Sequence, residues 1–414
     1  MSLEKMVPEI RFKGFNGEWV HRKLQDLTDN GFSNGVFNDP QKVGKGYRLI
    51  NVKDMYSGDS INIDNLSLVD IDEKEFKNNK VEYGDIFFTR SSLVKEGIAY
   101  SNVNLSNRND ITFDGHLIRM QPCKVTTDPV FLAYLFKTSS ARVQFILGGK
   151  TTTMTTIGQS DIAVVELAQP EKSEQTAIGN IFRKLDRLIN QHQQKHDKLS
   201  NIKKAMLDKM FPKQGETIPE IRFKGFSGEW AEKELGEIGS FVSGVGFSES
   251  EQSGRSGTPF FKVSDMNLIG NDCYMVTANN YVNDEQISRL NYTPVRESSI
   301  LFAKVGAAIF LERKRIAKDF LMDNNMMAFS PTQDLTFMKQ WFDSTSLAKY
   351  TQVGALPSFK ASDLGKIKLK VPKREEQTAI GNYFQKLDAL INQHQQQITK
   401  LKNIKLACLS KMFV

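Results

Sequence analysis

Two stretches of this chain carry apolar residues at alternating spacings of four and three. From Ile178 they fall at Phe182, Leu185, Ile189, His192, His196, Leu199, Met206 and Met210. In the second stretch they are Ile380, Phe384, Leu387, Ile391, His394, Ile398, Leu401, Cys408 and Met412. This is the seam of a coiled coil, with the histidines as polar members. In both copies a lysine (Lys203, Lys405) stands on the strict heptad position with an isoleucine just before it (Ile202, Ile404), so the spacing predicts a seam that drifts onto the isoleucines, as on a straight helix. Each helix should run roughly 38 residues, roughly 57 Å. Two such stripes most simply cover each other, and a return through a whole domain makes the pair antiparallel.

The rest of the chain has a different rhythm. GDIFFTR, HLIRMQP, IAVVELAQP, SILFAKV and IKLKVP are short apolar runs between Gly, Asn, Asp and Pro and predict strands. DPVFLAYLFKTSSARVQFIL (128–147) and DLTFMKQWFDSTSLAKYTQV (334–353) predict helices with apolar faces. Their aromatic residues, Phe131, Tyr134, Phe136, Phe337, Trp341 and Phe342, read as core.

The chain is written twice. EQTAIGNIFRKLDRLINQHQQ (174–194) returns as EQTAIGNYFQKLDALINQHQQ (376–396), an offset of 202, and PEIRFKGFNGEW (8–19) returns as PEIRFKGFSGEW (219–230), an offset of 211. Between these anchors the correspondence is thin but ordered: LINVKDM with FFKVSDM, VEYGDIFFTR with VRESSILFAK, QSDIAVVELAQP with ASDLGKIKLKVP. The predicted fold class is therefore α+β, in four parts. These are a first module (1–170), a spacer helix (171–212), a second module (213–372) and a second spacer helix (373–414), with the two long helices antiparallel in a pseudo-two-fold repeat.

Bulk properties narrow the class. The chain has 414 residues, 25% of them charged, with a formal net charge of +7, a mild lean towards polyanions. Its three cysteines, Cys123, Cys273 and Cys408, form no CxxC pair, which suits a reducing compartment. With no apolar leader and no membrane-length run, the expectation is a cytoplasmic protein with no membrane partner.

Catalytic equipment does not assemble. There is no GxxxxGK[ST] loop, the glycine-rich GSFVSGVGF (239–247) lacks GxGxxG spacing, and the Asn-Pro-Pro-Tyr or Asp-Pro-Pro-Tyr tetrapeptide of amino-methyltransferases is absent from the sequence. His192 and His196 have a metal-ligand spacing on one helix face, but the second copy has Ile398 at the latter position. They read as polar seam residues instead. No catalytic, cofactor-binding or metal residue is assigned.

What remains suits DNA reading, since Arg, Lys, Ser, Thr and Asn in loops take phosphate oxygens and base edges. The candidates in the first module are Arg48, Lys53, Arg90, Ser91, Ser92, Lys95, Arg108, Lys150, Thr151 and Thr152. In the second they are Arg255, Lys262, Lys304, Arg313, Lys314, Arg315, Asn324, Asn325, Ser358 and Lys360. Seam and partner docking fall to Ile178, Phe182, Leu185, Ile189, His192, Ile380, Phe384, Leu387, Ile391 and His394.

The repeated PEIRFKGF[NS]GEW, the GDIFFTR and SILFAKVGAAI segments, ALPSFKASDLGKIKL and above all the duplicated helix resemble the specificity subunit of type I restriction–modification enzymes, over essentially the whole chain. The resemblance implies two target-recognition domains joined by two antiparallel helices. Each domain would read half of a bipartite, asymmetric double-stranded DNA site, and the helices would set the gap. It implies two modification subunits, which bind S-adenosylmethionine and methylate adenine, and two restriction subunits, which use ATP and Mg. No cofactor is expected in this chain itself. The alternative is a single-chain DNA nuclease or methyltransferase with an unrecognised site; a coiled-coil scaffold without a DNA role is the third reading.

Overall fold

The computed structural model describes residues 6–37, 39–252, 254–352 and 356–414. Compactness divides the chain into two units, Met1–Gln191 with Gln397–Val414, and His192–Gln396. The two long helices are Lys172–Lys209 and Arg374–Lys411, so each unit holds a segment of both.

In the first unit a four-stranded antiparallel sheet has the order Thr28–Asn34, Leu117–Pro122, Ile86–Thr89, Ser101–Val103. A second sheet pairs Val43–Ile50 with Ser67–Val69 and, in parallel, with Ile111–Phe113. The second unit repeats the plan. Its four strands are Gly239–Ser243, Met326–Pro331, Ser299–Ala303 and Lys314–Ala317, and Thr258–Phe261 pairs in parallel with Leu321–Met322. Both units are mixed sheet and helix, the α+β class that the patterning predicts.

The predicted helix over 128–147 is two helices, Pro129–Leu135 and Ser139–Gly148. Thr138 breaks it: its side chain accepts from Ala141 N and so caps the second piece. The predicted helix over 334–353 ends at Ser344, followed by a 3-10 turn at Leu347–Tyr350. Its last residue, Val353, lies outside the described residues, as does Ala355 of the ALPSFK segment. The aromatic residues of these helices are core: Phe131, Tyr134, Phe136, Phe337, Trp341 and Phe342 are all buried.

The repeated words have physical jobs that match in the two units. In the first, Glu174 is 2% exposed and takes both Nε and Nη2 of Arg11 at 2.7 Å. Gln175 accepts from Asp128 N at 3.0 Å and donates to the Pro170 carbonyl at 2.9 Å. In the second unit Glu376 takes Nε and Nη2 of Arg222 at 2.7 and 2.6 Å, and Gln377 accepts from Asp334 N at 3.0 Å and donates to Pro372 O. Asp128 and Asp334 in turn cap the module helices that begin beside them. The glycine of EQTAIGN permits this approach. A Cβ on Gly179 would lie 2.7 Å from Asp128 Oδ1, and one on Gly381 would overlap Thr336 Oγ1 and lie 2.9 Å from Phe337 N.

Within each unit the helix segments run antiparallel. In the first, Phe182 meets Phe413 and Asp186 meets Lys405. In the second, His192 meets His394, Lys203 meets Asp388 and Phe211 meets Phe384. Ile178, Phe182, Leu185, Ile380, Phe384 and Leu387 are buried, and Ile189 and Ile391 are half-buried. The C-terminal Met-Phe of each helix completes a core. Phe413 stacks on Phe131 at 5.4 Å, and Phe211 on Phe337 at 5.4 Å.

The expected drift of the seam does not occur. Ile202 and Ile404 are 36% and 41% exposed, while the lysines turn inward. Lys203 Nζ lies 2.7 Å from Asp388 and 3.5 Å from Asp343; Lys405 Nζ lies 2.7 Å from Asp186 and 2.6 Å from Asp59. The heptad is kept because carboxylates wait on both sides of it. Burial alone would lower the Lys203 ammonium, but Asp343 and Asp388 outweigh it and hold the group above the ordinary lysine value.

At the seam, His192 Nδ1 and His394 Nδ1 are 2.9 Å apart, so one must donate and the other accept. His394 is held below the ordinary imidazole value of 6.5, first by burial and then by His192, Lys195 and His196. The folded chain thus binds this proton less readily than the unfolded chain. The stability it carries is complete above pH 6.5 and is lost as pH falls through the depressed value. Acidification from about pH 7.5 to about pH 5.5 should therefore lower the Tm of the wild type more than that of His394→Gln; equal slopes would refute it. Gly381→Ala tests the close approach. Alanine ordinarily gains about 1 kcal/mol inside a helix, but the overlap with Thr336 should reverse the sign and leave a net loss of about 1–3 kcal/mol. Urea unfolding of the full chain reads it, and an unchanged or raised midpoint would remove the contact from the account.

Candidate nucleic-acid interface

In each unit the third strand of the four-stranded sheet runs out into a loop, and the first residue beyond it is basic. Arg90 follows Ile86–Thr89, and Lys304 ends the run that starts at Ser299. Their backbones are held alike. Arg90 N donates to His116 O at 3.2 Å and its carbonyl accepts from Ile157 N at 3.0 Å; Lys304 N donates to Asn325 O at 2.7 Å and its carbonyl accepts from Phe359 N at 3.1 Å. Each frame thus joins three segments: the strand end, a turn stabilised by an aspartate, and a late loop. The aspartates match too. Asp114 accepts from His116 N and contacts its Nδ1, both at 2.7 Å, and Asp323 accepts from Asn325 N at 3.0 Å.

Around Arg90 the frame gathers most first-module candidates. Ser91–Ser92 pairs with Thr155–Thr156, which pairs with Lys150–Thr151. Arg90, Lys95, Lys150, Thr151 and Thr152 are exposed there, and Ser91 and Ser92 half-exposed. Arg48, Lys53 and Arg108 belong elsewhere. Arg48 and Arg108 share Asp110, at 3.4 and 2.7 Å, and the Arg108 hydrogen bond holds that carboxyl below its usual range. Lys53 is exposed on the 3-10 turn Val52–Tyr56.

Around Lys304 stand Asn324, Asn325, Ser358 and Lys360. Val305 and Gln352 bridge Ser358, and Asn324, Asn325 and Lys360 are exposed. The candidates Arg313, Lys314 and Arg315 divide differently. Lys314 is 3% exposed, with Nζ on Glu312 at 2.5 Å and on Thr345 O at 3.2 Å; it serves the interior. Arg315 donates to Asn271 O at 2.6 Å, and burial lowers its pKa. Arg313 donates to Asn267. Lys262 is bound to Gln252 at 2.6 Å, whereas Arg255 is exposed. The pattern of basic residues could not separate these, because alternation along Lys314–Ala317 buries one cation that a loop would have exposed.

The frame also contains residues not singled out from sequence. His116 is 67% exposed at its side chain, and its backbone holds Arg90. Leu93, Val94, Phe310 and Leu311 stand exposed in the loops. In the first module the signal is the apolar pair Leu93–Val94 among polar neighbours; in the second, Phe310 and Leu311 end the run VGAAIFL, and nothing local separates them from the buried Ile309. Among the described residues no group of three or more His, Cys, Asp or Glu could hold a metal, and no helix is long and apolar enough to cross a membrane.

Comparison with known proteins agrees with this architecture. The type I restriction modification DNA specificity domain matches twice, over residues 16–201 and 227–403. The proposed specificity subunit of the MjaX type I restriction enzyme of Methanocaldococcus jannaschii is 24% identical over 402 residues, covering 93% of this chain and 91% of that protein. The crystal structure of a type I restriction–modification S subunit from M. genitalium superposes with a TM-score of 0.65 at 17% identity over 99% of each chain. A structure concerned with complex assembly and conformational transition of the type I R-M system gives 0.50 at 14% identity, over 95% of this chain and 97% of that one. The two matched segments span most of the chain, and each contains one of the backbone frames and most of one repeated helix. The chain belongs to the type I restriction–modification DNA specificity family, the non-catalytic DNA-recognition component of such systems.

Proposed function

We propose that each module reads one half of a bipartite, asymmetric site in double-stranded DNA and that the two long helices set the unspecific gap. The observation that carries this is the pair of matching backbone frames around Arg90 and Lys304, fitted with different side chains. Equal frames give equal ways of approaching a duplex; different side chains give different half-sites. Phosphate contacts from the exposed cations supply affinity, and the loop side chains supply choice. The near-identity of the helices suits two copies of one partner. Two modification subunits, adenine methyltransferases that bind S-adenosylmethionine, would dock there, joined by two restriction subunits that use ATP and Mg. Lys314 and Arg315, committed to the interior, do not enter this proposal. An enzyme with its own site is the rival, and turnover of DNA by the purified chain alone would establish it.

Binding to duplex DNA should weaken steeply with salt. Arg90→Ala and Lys304→Ala should each lower affinity for any duplex and reduce the slope of log K against log salt by about 1; unchanged slopes would remove both from the phosphate contacts. The gap is tested by adding one heptad to both helices, after Leu199 and after Leu401, which keeps the seam in register. The addition is about 10 Å, or about three base pairs. Mapping methylated adenines in cells that hold the lengthened chain and its modification subunits should show a gap longer by that amount. An unchanged gap would end the ruler account.

A further inference from the structure

Among the described residues, many large apolar side chains are exposed singly, which is ordinary for a surface. Only two places expose consecutive ones: Leu93 at 86% with Val94 at 60%, and Phe310 with Leu311, each at 59%. Both pairs lie in the same structural element, the loop that leaves the sheet at Arg90 or Lys304 and returns as Ser101–Val103 or Lys314–Ala317.

Neither loop is free to fold its pair inward. In the first, Arg142 donates to the carbonyls of Glu96, Ile98 and Ala99, and Ile98 and Ala99 are fully buried. In the second, Ile309 is buried and Glu312 accepts from Ser346 and Ala348 N. The return of each loop is stapled, and the apolar pair is held in water. Such a pair gains free energy only against an apolar surface. The company it keeps is mainly cationic and hydroxylic: Arg90, Lys95 and Lys150 are exposed in the first loop's frame beside one carboxylate, Glu96, and Lys360 is exposed in the second. Glu312, the carboxylate of the second loop, is turned inward to Lys314. A surface that is apolar at its tip and cationic around it fits a duplex groove, where phosphates line the edges. The apolar group on base edges there is the thymine 5-methyl.

We infer that Leu93–Val94 and Phe310–Leu311 are specificity-determining contacts that seat against thymine 5-methyl groups in the major groove, one pair in each half-site. This rests on the DNA-reading function proposed above. The test uses the full chain assembled with its modification subunits and a pool of randomised duplexes, prepared once with thymine and once with uracil, which lacks the methyl. Wild type should enrich thymine in both halves of its site. The double variant Leu93→Ala/Val94→Ala should lose that preference, and about tenfold in affinity, in one half only. Phe310→Ala/Leu311→Ala should do the same in the other half. The half left intact shows that each variant is folded. Uracil should reproduce each loss in wild type and add nothing to the variant at that position. Unchanged motifs, or insensitivity to uracil, overturn the inference. So does a variant that keeps its motif but no longer holds the modification subunits, which would make the pair a protein-docking face. If wild type selects no motif and binds without salt dependence, the DNA-reading proposal falls as well.

Discussion

A buried glutamate at the start of each long helix is the interaction from which the rest of each unit is built. Glu174 and Glu376 are 2% and 1% exposed, and a carboxylate so placed is tolerable only with a partner of matched geometry. Arg11 and Arg222 supply it as two-pronged guanidinium contacts. Removing either arginine would strand a buried charge, at about 3–5 kcal/mol. The same arginines also hold the bend of their own arm, the repeated PEIRFKGF[NS]GEW segment, through the carbonyls of Gly17 and Gly228. One ion pair therefore ties the arm to the helix. The neighbouring glutamine ties the helix to its module, and the glycine one turn later lets the two surfaces close. That is why EQTAIGN and PEIRFKGF are the words repeated with least change.

The seam shows the same economy. Repeated helices of nearly identical sequence could pair in more than one register if their contacts were only apolar. Lys203 with Asp388, and Lys405 with Asp186, are the same pair used twice, since each lysine and each aspartate has its counterpart 202 positions on. A slip by one turn would leave a half-buried ammonium without its carboxylate. Polar seam residues of this kind are best explained as register devices. His192 and His394, also counterparts, meet each other directly.

Much of this was legible in the sequence because it is periodic or repeated. The heptads, the long helices and the aromatic core at Phe131, Tyr134, Phe337 and Phe342 depend on spacing alone. What spacing could not supply were partners brought from far along the chain. The inward turn of Lys203 depends on Asp343 and Asp388, and that of Lys405 on Asp59; without those carboxylates Ile202 and Ile404 are the natural seam choices. Thr138 looked like one polar residue within a helix until its side chain took the Ala141 amide. Lys314 counted as a loop cation because nothing local marks it as the buried member of a strand. The frame around Arg90 joins residues 90, 116 and 157 through backbone groups, which side-chain patterns do not encode.

Those backbone frames explain how two modules can share an architecture while their loops diverge. The hydrogen bonds that hold Arg90 and Lys304 are made by amides and carbonyls, so they place no demand on the side chains they present. His116 in one module is Asn325 in the other, and Ile157 is Phe359, with the same main-chain contacts. Substitution at the loop tips therefore costs the scaffold little, whereas substitution in EQTAIGN strikes a buried ion pair, a capping amide and a close approach at once. The physical separation of these two kinds of position, main-chain frame against side-chain lock, is what lets one module present Leu93–Val94 and the other Phe310–Leu311 from the same element.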